Sequence, residues 1–421
     1  MRKAILGLLL ACILAVPTPA LAEETSTTVL VYMAGSDLES ETGSGSADLR
    51  EMVKAGIPAS GSLRVLVQTG GAKKWANDEI PSNALGRFQV DETGLTLLET
   101  QKDASMGKAG TLADFIAFGL KEAPADRYIL VLWGHGSGAT GGVCLDSRHW
   151  EDTLMPKELG RALREGLGGA HLDAVMFDAC TMSCVEIAET LAPYADYMVA
   201  SQALTSGWGL EYDRWLGELV QNPEISSRDL CVQTAQTYLS AHSFGVFSGF
   251  YAMSVLDLSK AEELTRSVGA LYLALGRRLG AQADDVIGRR ATLRSFGEFE
   301  GSDPSDFVDA LRLADVFSDL EPRACAALRR AVSRMVVYNG NTNPSKGQAY
   351  GISMTMPYAT APWMYLIYDY YDPLYSSSDY ARLIVDMAEE VERRNIAVQS
   401  GGDGQMLPKE EMWTGLTDEA A

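Results

Sequence analysis

The sequence has few cysteines, few prolines and no basic stretches. With 421 residues and only six cysteines, the chain is long enough to bury real cores, which excludes a disulfide-stapled miniprotein; 15 prolines with 47% apolar residues exclude a disordered or fibrous chain. No run of Lys or Arg exceeds two residues and the net charge is −21, so a phosphate backbone would be repelled. We therefore expect a compact protein with no nucleic-acid partner.

Long apolar stretches are also missing. No segment approaches the roughly 20 apolar residues of a membrane helix. The apolar run over residues 4–16 follows Arg2 and Lys3 and precedes the triplet Ala-Leu-Ala at 20–22. This pattern predicts a secretory signal peptide over residues 1–22 and hence a secreted protein. Cys12 keeps an alternative open, a lipid-anchored cell-surface protein, because the residues around it resemble a lipoprotein signal.

Short apolar runs alternate with helical patterns over residues 25–258. This alternation predicts an α/β domain with a mostly parallel sheet covered by helices on both faces. The predicted strands are 28–34, 63–69, 128–133, 172–178 and 198–203, a hairpin is predicted at 87–100, and the predicted helices are 47–55, 111–122, 156–166 and 183–191.

Long helical patterns dominate residues 259–397. They lie at 259–280, 304–319, 322–338 and 378–394, and one further strand is predicted at 350–356. We expect a helical C-terminal region that returns a strand to the sheet, followed by a flexible acidic tail at 398–421.

A histidine stands at the end of one predicted strand. Residues 128–133 lead directly into Gly134, His135 and Gly136. In an open parallel sheet, chemistry gathers at the carboxyl ends of the strands, and glycines let a ligand approach the backbone. His135 is therefore a candidate general base, although a lone loop histidine is more often a solvated side chain.

A cysteine follows the next core strand. Cys180 comes two residues after Asp178, and removal of the signal peptide leaves an odd number of cysteines, so at least one thiol stays unpaired. Ser183 and Glu186 have the spacing of a capping box, which predicts a helix beginning just after Cys180. The positive end of that helix and a neighbouring imidazolium would lower the thiol pKa. Cys180 is a candidate nucleophile, and a buried structural cysteine is the alternative.

The two strand ends are expected side by side. Consecutive strands joined by one crossover helix are neighbours in a parallel sheet, so His135 and Cys180 form a predicted pair of base and nucleophile. The backbone amides of Gly136 and Cys180 are then placed to stabilise an oxyanion.

Other motifs in this region are weaker. A G-x-G-x-x-G spacing begins at Gly136, but no helical pattern follows it, as a dinucleotide site requires. Ser137 is one position away from the serine of a nucleophile elbow. Cys180 and Cys184 have no second pair of zinc ligands.

The motifs at the two strand ends resemble those of a known family. Residues 133–136 (WGHG) and 177–182 (FDACTM) resemble the His and Cys motifs of the clostripain-like cysteine peptidases, of the caspase-like clan. The resemblance extends to residues 29–37, 197–213 and 351–357 and covers most of the chain after the signal peptide. It implies a caspase-like three-layer α/β sandwich.

The resemblance also implies an activity, namely cleavage after Arg or Lys through a Cys-His dyad and an acyl-enzyme. By this carry-over Cys180 is the nucleophile, His135 the general base and acid, and Asp178 an acidic wall of the pocket for the basic side chain. Asp213 is a second pocket acid, with a helix N-cap as its alternative role. A buried carboxylate can bind a guanidinium through two hydrogen bonds, which favours Arg over neutral residues.

Maturation and cofactors follow from the same resemblance. Family members are commonly cut between the His and Cys motifs, and Arg148, in the predicted loop 145–153, is the best candidate because the other basic residues of the interval lie on or beside a helix. No redox or organic cofactor is needed. Calcium dependence occurs in part of the family, but no EF-hand spacing exists here.

A second interpretation is an inactive secreted or cell-surface binding protein with the same fold. The presence of both His135 and Cys180 favours the enzyme, whose partners would be proteins or peptides containing Arg or Lys.

Overall fold

The computed structural model describes residues 25–243, 250–297, 306–343, 349–358 and 379–399. The predicted signal peptide with Cys12, and the predicted tail beyond its first two residues, lie outside these ranges. None of the helices in these ranges is long and apolar enough to cross a membrane.

The strands have the following bounds: β1 (Thr27–Ala34), β2 (Leu63–Gly70), β3 (Ala84–Asp91), β4 (Gly94–Lys102), β5 (Arg127–Trp133), β6 (Val143–Asp146), β7 (Asp152–Leu154), β8 (Leu172–Asp178), β9 (Ala195–Ala200), β10 (Ala252–Asp257), β11 (Ser295–Phe296), β12 (Phe307–Asp309), β13 (Val336–Asn341) and β14 (Ser353–Thr355).

The helices have the following bounds: α1 (Ser36–Thr42), α2 (Ser44–Lys54), α3 (Ala109–Glu122), α4 (Gly138–Gly141), α5 (Pro156–Leu167), α6 (Val185–Leu191), α7 (Tyr212–Gln221), α8 (Ser227–Ala241), α9 (Ala261–Ala291), α10 (Ala310–Val316), α11 (Pro322–Met335) and α12 (Asp379–Gln399).

A nine-stranded sheet in the order β13-β10-β9-β8-β5-β1-β2-β3-β4 forms the middle layer. Its five central strands, from β9 to β2, are parallel, and the strands outside them are antiparallel. The predicted parallel core and the predicted hairpin at 87–100, now β3 and β4, are therefore confirmed.

Helices cover both faces of this sheet, which makes the chain a three-layer sandwich. Along β1, Leu30 and Tyr32 enter one core with α3, α5, α6, α9, α11 and α12, whereas Val29 and Val31 enter another with α2, α7 and α8. Because both faces are covered, the whole of β1 is buried. Each such Val or Leu side chain stabilises the fold by about 1.5–3 kcal/mol.

The C-terminal region packs into the same core as the parallel sheet. Side chains of α9, α11 and α12 belong to the cluster that contains Leu30 and Leu130. The region also returns a strand to the sheet, as predicted, but the identity of that strand differs from the prediction.

The strand returned to the sheet is β13, which pairs antiparallel with β10. The helix predicted to reach residue 338 ends at Met335, because Val336, Val337 and Tyr338 are β-branched or aromatic and fit the free edge of the sheet. The strand predicted at 350–356 is shortened to β14, which lies in a separate small sheet beside β12. The helix predicted at 304–319 is likewise shortened to α10, since β12 takes the residues before it.

Candidate active site

Three neighbouring strands end at one side of the sheet, which we call the carboxyl edge. Met33 of β1 lies opposite Trp133 of β5, and Trp133 lies opposite Asp178 of β8. The chain leaves all three strands at the same level, so the loops carrying His135 and Cys180 are adjacent, as the sequence predicts.

The two loops touch at Gly136. Thr181 Oγ1 donates to the Gly136 carbonyl oxygen at 3.4 Å, and a β-carbon built on Gly136 would overlap the carbonyl oxygen of Cys180. Glycine is therefore required at this position by the close approach of two backbones. Among the described residues, the N–H groups of Gly136 and Cys180 donate no hydrogen bond, which leaves both amides free for a ligand oxygen.

The imidazole of His135 is held by a carboxylate. Its Nε2 lies 2.6 Å from Oδ1 of Asp37, which follows β1. Burial tends to raise the pKa of Asp37, but hydrogen bonds from His135 and Ser36 outweigh it, so this pKa lies below its usual value. An ionised Asp37 assigns the ring proton to Nε2 and leaves Nδ1 able to accept a proton.

Asp37 was missed as a site residue although a signal was present. It lies just after the first parallel strand, at the same type of position as His135 and Cys180. Reasoning from strand ends would have found it once β1 was known to be the neighbour of β5.

The thiol of Cys180 is bound by Thr205, from the loop after β9. The Thr205 N–H donates to Sγ at 3.2 Å, and its hydroxyl lies 3.3 Å from Sγ. A backbone bond from the Thr181 N–H to the Ala203 carbonyl joins the two loops. The sulfur of Cys180 is therefore held against the loop that follows β9.

The predicted helix N-terminus at Cys180 is wrong. The chain turns at Thr181, whose φ is +57°, and α6 begins later, with Cys184 at its N-cap. The predicted capping box is absent because tertiary partners take its groups: Ser183 Oγ donates to the Gly351 carbonyl, and Glu186 accepts from the Thr355 N–H.

Four of the five described cysteines are buried, and no disulfide joins any of them; they are Cys144, Cys184, Cys231 and Cys325. Burial raises the pKa of the Cys144 and Cys231 thiols and that of Cys325 to about 11. Cys180 alone of these five is partly exposed, so it is the thiol most accessible to a substrate.

A buried carboxylate lies beside the nucleophile. Asp178 ends β8, and its Oδ2 accepts from the Leu210 N–H at 3.2 Å and from the Tyr212 hydroxyl at 3.0 Å. Burial raises the pKa of Asp178 to about 7 despite these two hydrogen bonds. A carboxyl that is costly to ionise without a partner suits a pocket for a cationic side chain.

A second acid, which the sequence analysis missed, faces Asp178. Asp48 on α2 accepts from Trp133 Nε1 at 2.6 Å. A β-carbon built on Gly209 would lie 2.7 Å from Asp48 Oδ2 and 2.9 Å from Asp178 Oδ2. No strand-end rule could place Asp48 here, because its position depends on how α2 packs across the sheet.

Asp213, the other predicted pocket acid, pairs with Lys54 of α2. It lies in the first turn of α7, whose N-cap is Glu211, so its predicted alternative role as a helix N-cap is wrong. To meet a basic substrate its carboxylate would have to leave Lys54.

The loop containing Arg148 is a compact turn between β6 and β7. Oδ1 of the buried Asp146 accepts from the N–H groups of Arg148 and His149, at 2.9 and 3.1 Å. The Arg148 guanidinium lies 2.9 Å from Asp103. Cleavage after Arg148 would require this turn to open, because proteases bind extended chains.

Metal ligands do not cluster in the described ranges, where no group of three or more His, Cys, Asp or Glu side chains is arranged to hold an ion. Calcium dependence therefore stays a prediction from the family resemblance.

Comparison with known proteins places this geometry in a family. The model of the clostripain family matches residues 31–392. Clostripain of Hathewaya histolytica is 27% identical over 378 positions, which cover 74% of this chain and 71% of that protein.

Two solved structures share the fold. An inactive zymogen C11 protease from Parabacteroides distasonis has a TM-score of 0.64 at 24% identity, covering 85% of this chain and 99% of its own. A secreted C11 cysteine protease from Bacteroides thetaiotaomicron, solved with an irreversible peptide inhibitor, has a TM-score of 0.62 at 20% identity, covering 84% and 98%. The chain therefore belongs to the clostripain family of cysteine peptidases and has their caspase-like fold.

Proposed function

We propose that the protein is a secreted endopeptidase that hydrolyses peptide bonds after Arg or Lys, with Cys180 as nucleophile and His135 as general base and acid. The observation that carries the proposal is the buried carboxylate of Asp178, two residues before the most accessible thiol and without a cationic partner among the described residues. The name of the Hathewaya relative, clostripain, agrees with it.

The chemistry begins at Cys180. His135, held at Nε2 by Asp37, takes the thiol proton through Nδ1, and the Thr205 N–H donates to the sulfur. Sulfur attacks the carbonyl carbon, and the amides of Gly136 and Cys180 stabilise the resulting oxyanion. His135 then protonates the leaving amine, and water hydrolyses the thioester.

Specificity comes from charge at the pocket floor. Asp178 is held by Leu210 and Tyr212, so its orientation is fixed before substrate binds. A guanidinium or ammonium replaces the missing counter-ion, whereas a neutral side chain leaves the carboxylate buried without one. Asp213 is a secondary contributor whose carboxylate is shared with Lys54.

The test is a panel of fluorogenic peptides ending in Arg, Lys, Asp or Leu. We expect turnover of the Arg and Lys peptides and labelling of Cys180 by a basic chloromethyl ketone. Turnover of the Asp peptide alone would refute the pocket assignment. No turnover and no labelling would favour the inactive binding protein.

Self-processing at Arg148 is a further part of the proposal. Mass spectrometry of the purified protein should show two chains meeting after Arg148, and Cys180→Ala should stay intact. The matched variant Arg148→Gln should also stay intact. An uncut chain in the unsubstituted protein would contradict this assignment.

Export is tested by the N-terminus. Cleavage of the signal peptide leaves Glu23 first in the secreted protein, whereas lipidation leaves a modified Cys12. Retention of Met1 in the purified native protein would contradict both routes.

A further inference from the structure

Two buried carboxylates, Asp48 and Asp178, lie close together near Cys180, and separate donors hold each of them. Trp133 Nε1 binds Asp48, while Tyr212 and Leu210 bind Asp178. Both acids are buried, at 2% and 7% exposure. Their Oδ2 atoms lie 2.7 and 2.9 Å from the position that a β-carbon on Gly209 would take, so the two oxygens are close to one another.

Acidic or neutral groups surround this pair. The titratable groups facing it from the adjoining elements are Glu51 on α2, Glu211 and Tyr212 at the start of α7, and Tyr238 on α8. The nearby cation, Lys54, is engaged by Asp213, and in the described ranges no Lys, Arg or His forms an ion pair with Asp48 or Asp178.

Two buried carboxylates this close cannot both ionise cheaply. Burial, followed by the charge of Asp178, raises the pKa of Asp48 well above its usual value, and burial raises that of Asp178 to about 7. Groups that interact this strongly lose their protons in two steps that belong to the pair and not to either residue.

We propose that Asp48 is a second specificity-determining carboxylate, that it shares one proton with Asp178 in the free enzyme, and that a substrate's Arg or Lys side chain displaces this proton on binding. The inference rests on the proposed function, since it needs a basic side chain in this pocket. The proton passes to the solvent, and the pair is left with two charges facing one cation.

The absence of a side chain at Gly209 supports this role. Gly209 has φ +72°, and the position that its β-carbon would take lies within 3 Å of both carboxylate oxygens, so this space stays open. Any larger residue would contact both oxygens and occupy the volume that a guanidinium needs. Two carboxylates also match a guanidinium, with its five donors, better than an ammonium.

The experiment measures proton release with agmatine, which carries the arginine guanidinium and no scissile bond. Calorimetry on the purified mature enzyme, in two buffers of different ionisation enthalpy at pH 6–8, counts the protons. We expect release of about one proton per agmatine, together with a fall in KM for an Arg peptide as pH rises over this range.

Asp48→Asn is the informative variant, because an amide oxygen can still accept from Trp133. At pH 8 it should raise KM for Arg peptides about tenfold, reduce the preference for Arg over Lys, and flatten the dependence of KM on pH. Asp196→Asn is the matched control, because it removes one exposed carboxylate at the start of β9, at the edge opposite the carboxyl edge. We expect its KM, its preference for Arg over Lys and its pH dependence to equal those of the unsubstituted enzyme.

The outcomes separate the two proposals. Hydrolysis of Arg peptides without proton release on agmatine binding, or with an unchanged pH dependence in folded Asp48→Asn, overturns this inference and leaves the proposed function in place. Failure to hydrolyse or bind any basic ligand overturns both. If circular dichroism shows that Asp48→Asn does not fold, the proton count on the unsubstituted enzyme decides alone.

Discussion

The two edges of the parallel sheet satisfy their polar groups differently. At the amino edge, where the strands begin, Arg127 donates to Thr27 and to the Pro223 carbonyl, and Asp173 accepts from the Tyr128 N–H and the Ser227 hydroxyl. At the carboxyl edge, Asp178 is buried with no cation beside it in the described part of the chain. The amino edge thus satisfies its charged groups with hydrogen bonds, whereas the carboxyl edge leaves the carboxylate of Asp178 without a counter-ion in the described residues.

Ionisation shows the same difference. Hydrogen bonds from Ser26 lower the pKa of Asp126 at the amino edge, whereas burial raises that of Asp178 at the carboxyl edge. Positive φ at residues other than glycine occurs in the segments that follow β1, β8 and β9 at the carboxyl edge, at Ser36, Thr181 and Glu211. Each such residue costs about 1–3 kcal/mol of conformational strain. The packed cores offset this strain, and the turns that carry it place side chains for chemistry.

The largest effects on activity are expected at Cys180 and His135, at the carboxyl edge. Cys180→Ala and His135→Ala should each lower kcat for an Arg peptide by on the order of 10⁴-fold or more, because each removes a reacting group. His171→Ala removes the exposed histidine paired with Asp196 near the amino edge and should leave kcat unchanged. Equal losses in all three variants would contradict the assignment.

A smaller effect is expected at Asp37, which positions His135. Asp37→Asn should lower kcat about 100-fold, with little change in KM, because the ring loses its ionised partner. The pH profile of kcat should shift as well. A purely structural role would instead lower the melting temperature and leave that profile in place.

A smaller effect is expected at Thr205, which contacts the sulfur of Cys180. Thr205→Val removes a hydroxyl 3.3 Å from Sγ but keeps the backbone N–H. We expect the rate of iodoacetamide alkylation of Cys180 at neutral pH to fall about threefold to tenfold, because the sulfur loses one hydrogen-bond partner. Thr205→Ser should restore it, and failure to do so would assign the effect to packing.

The smallest effect concerns stability. Because burial raises the folded-state pKa of Asp178 to about 7, its stabilising contribution is complete below the unfolded pKa of about 4 and is lost as pH rises through 7. The melting temperature should therefore fall by a few degrees between pH 5 and pH 8 in the unsubstituted protein, and Asp178→Asn should fall less. A steeper fall in that variant would contradict the assignment.

The sequence predicted the parallel core and the adjacency of the loops that carry His135 and Cys180, because both follow from local pattern and from the rule that consecutive parallel strands pair. The role of Asp178 as a pocket acid came from the family resemblance and stays a prediction. The sequence did not predict the start of α6 or the strand β13. Both depend on competition between neighbours: Gly351 and Thr355 take the groups of the expected capping box, and the free edge beside β10 recruits residues that also fit a helix.

Strand ends are encoded locally, since the apolar run of β5 stops before Gly134 and that of β8 stops at Asp178. For this reason the motifs WGHG and FDAC can be located at strand ends from the sequence alone. The partners of these motifs are long-range: Asp37 contacts His135, Thr205 contacts Cys180 and Asp48 contacts Trp133 only because distant parts of the chain pack together on the sheet. Contacts between residues so far apart in sequence depend on how the helices and loops pack in the tertiary structure, and the spacing of residues within a motif does not predict them.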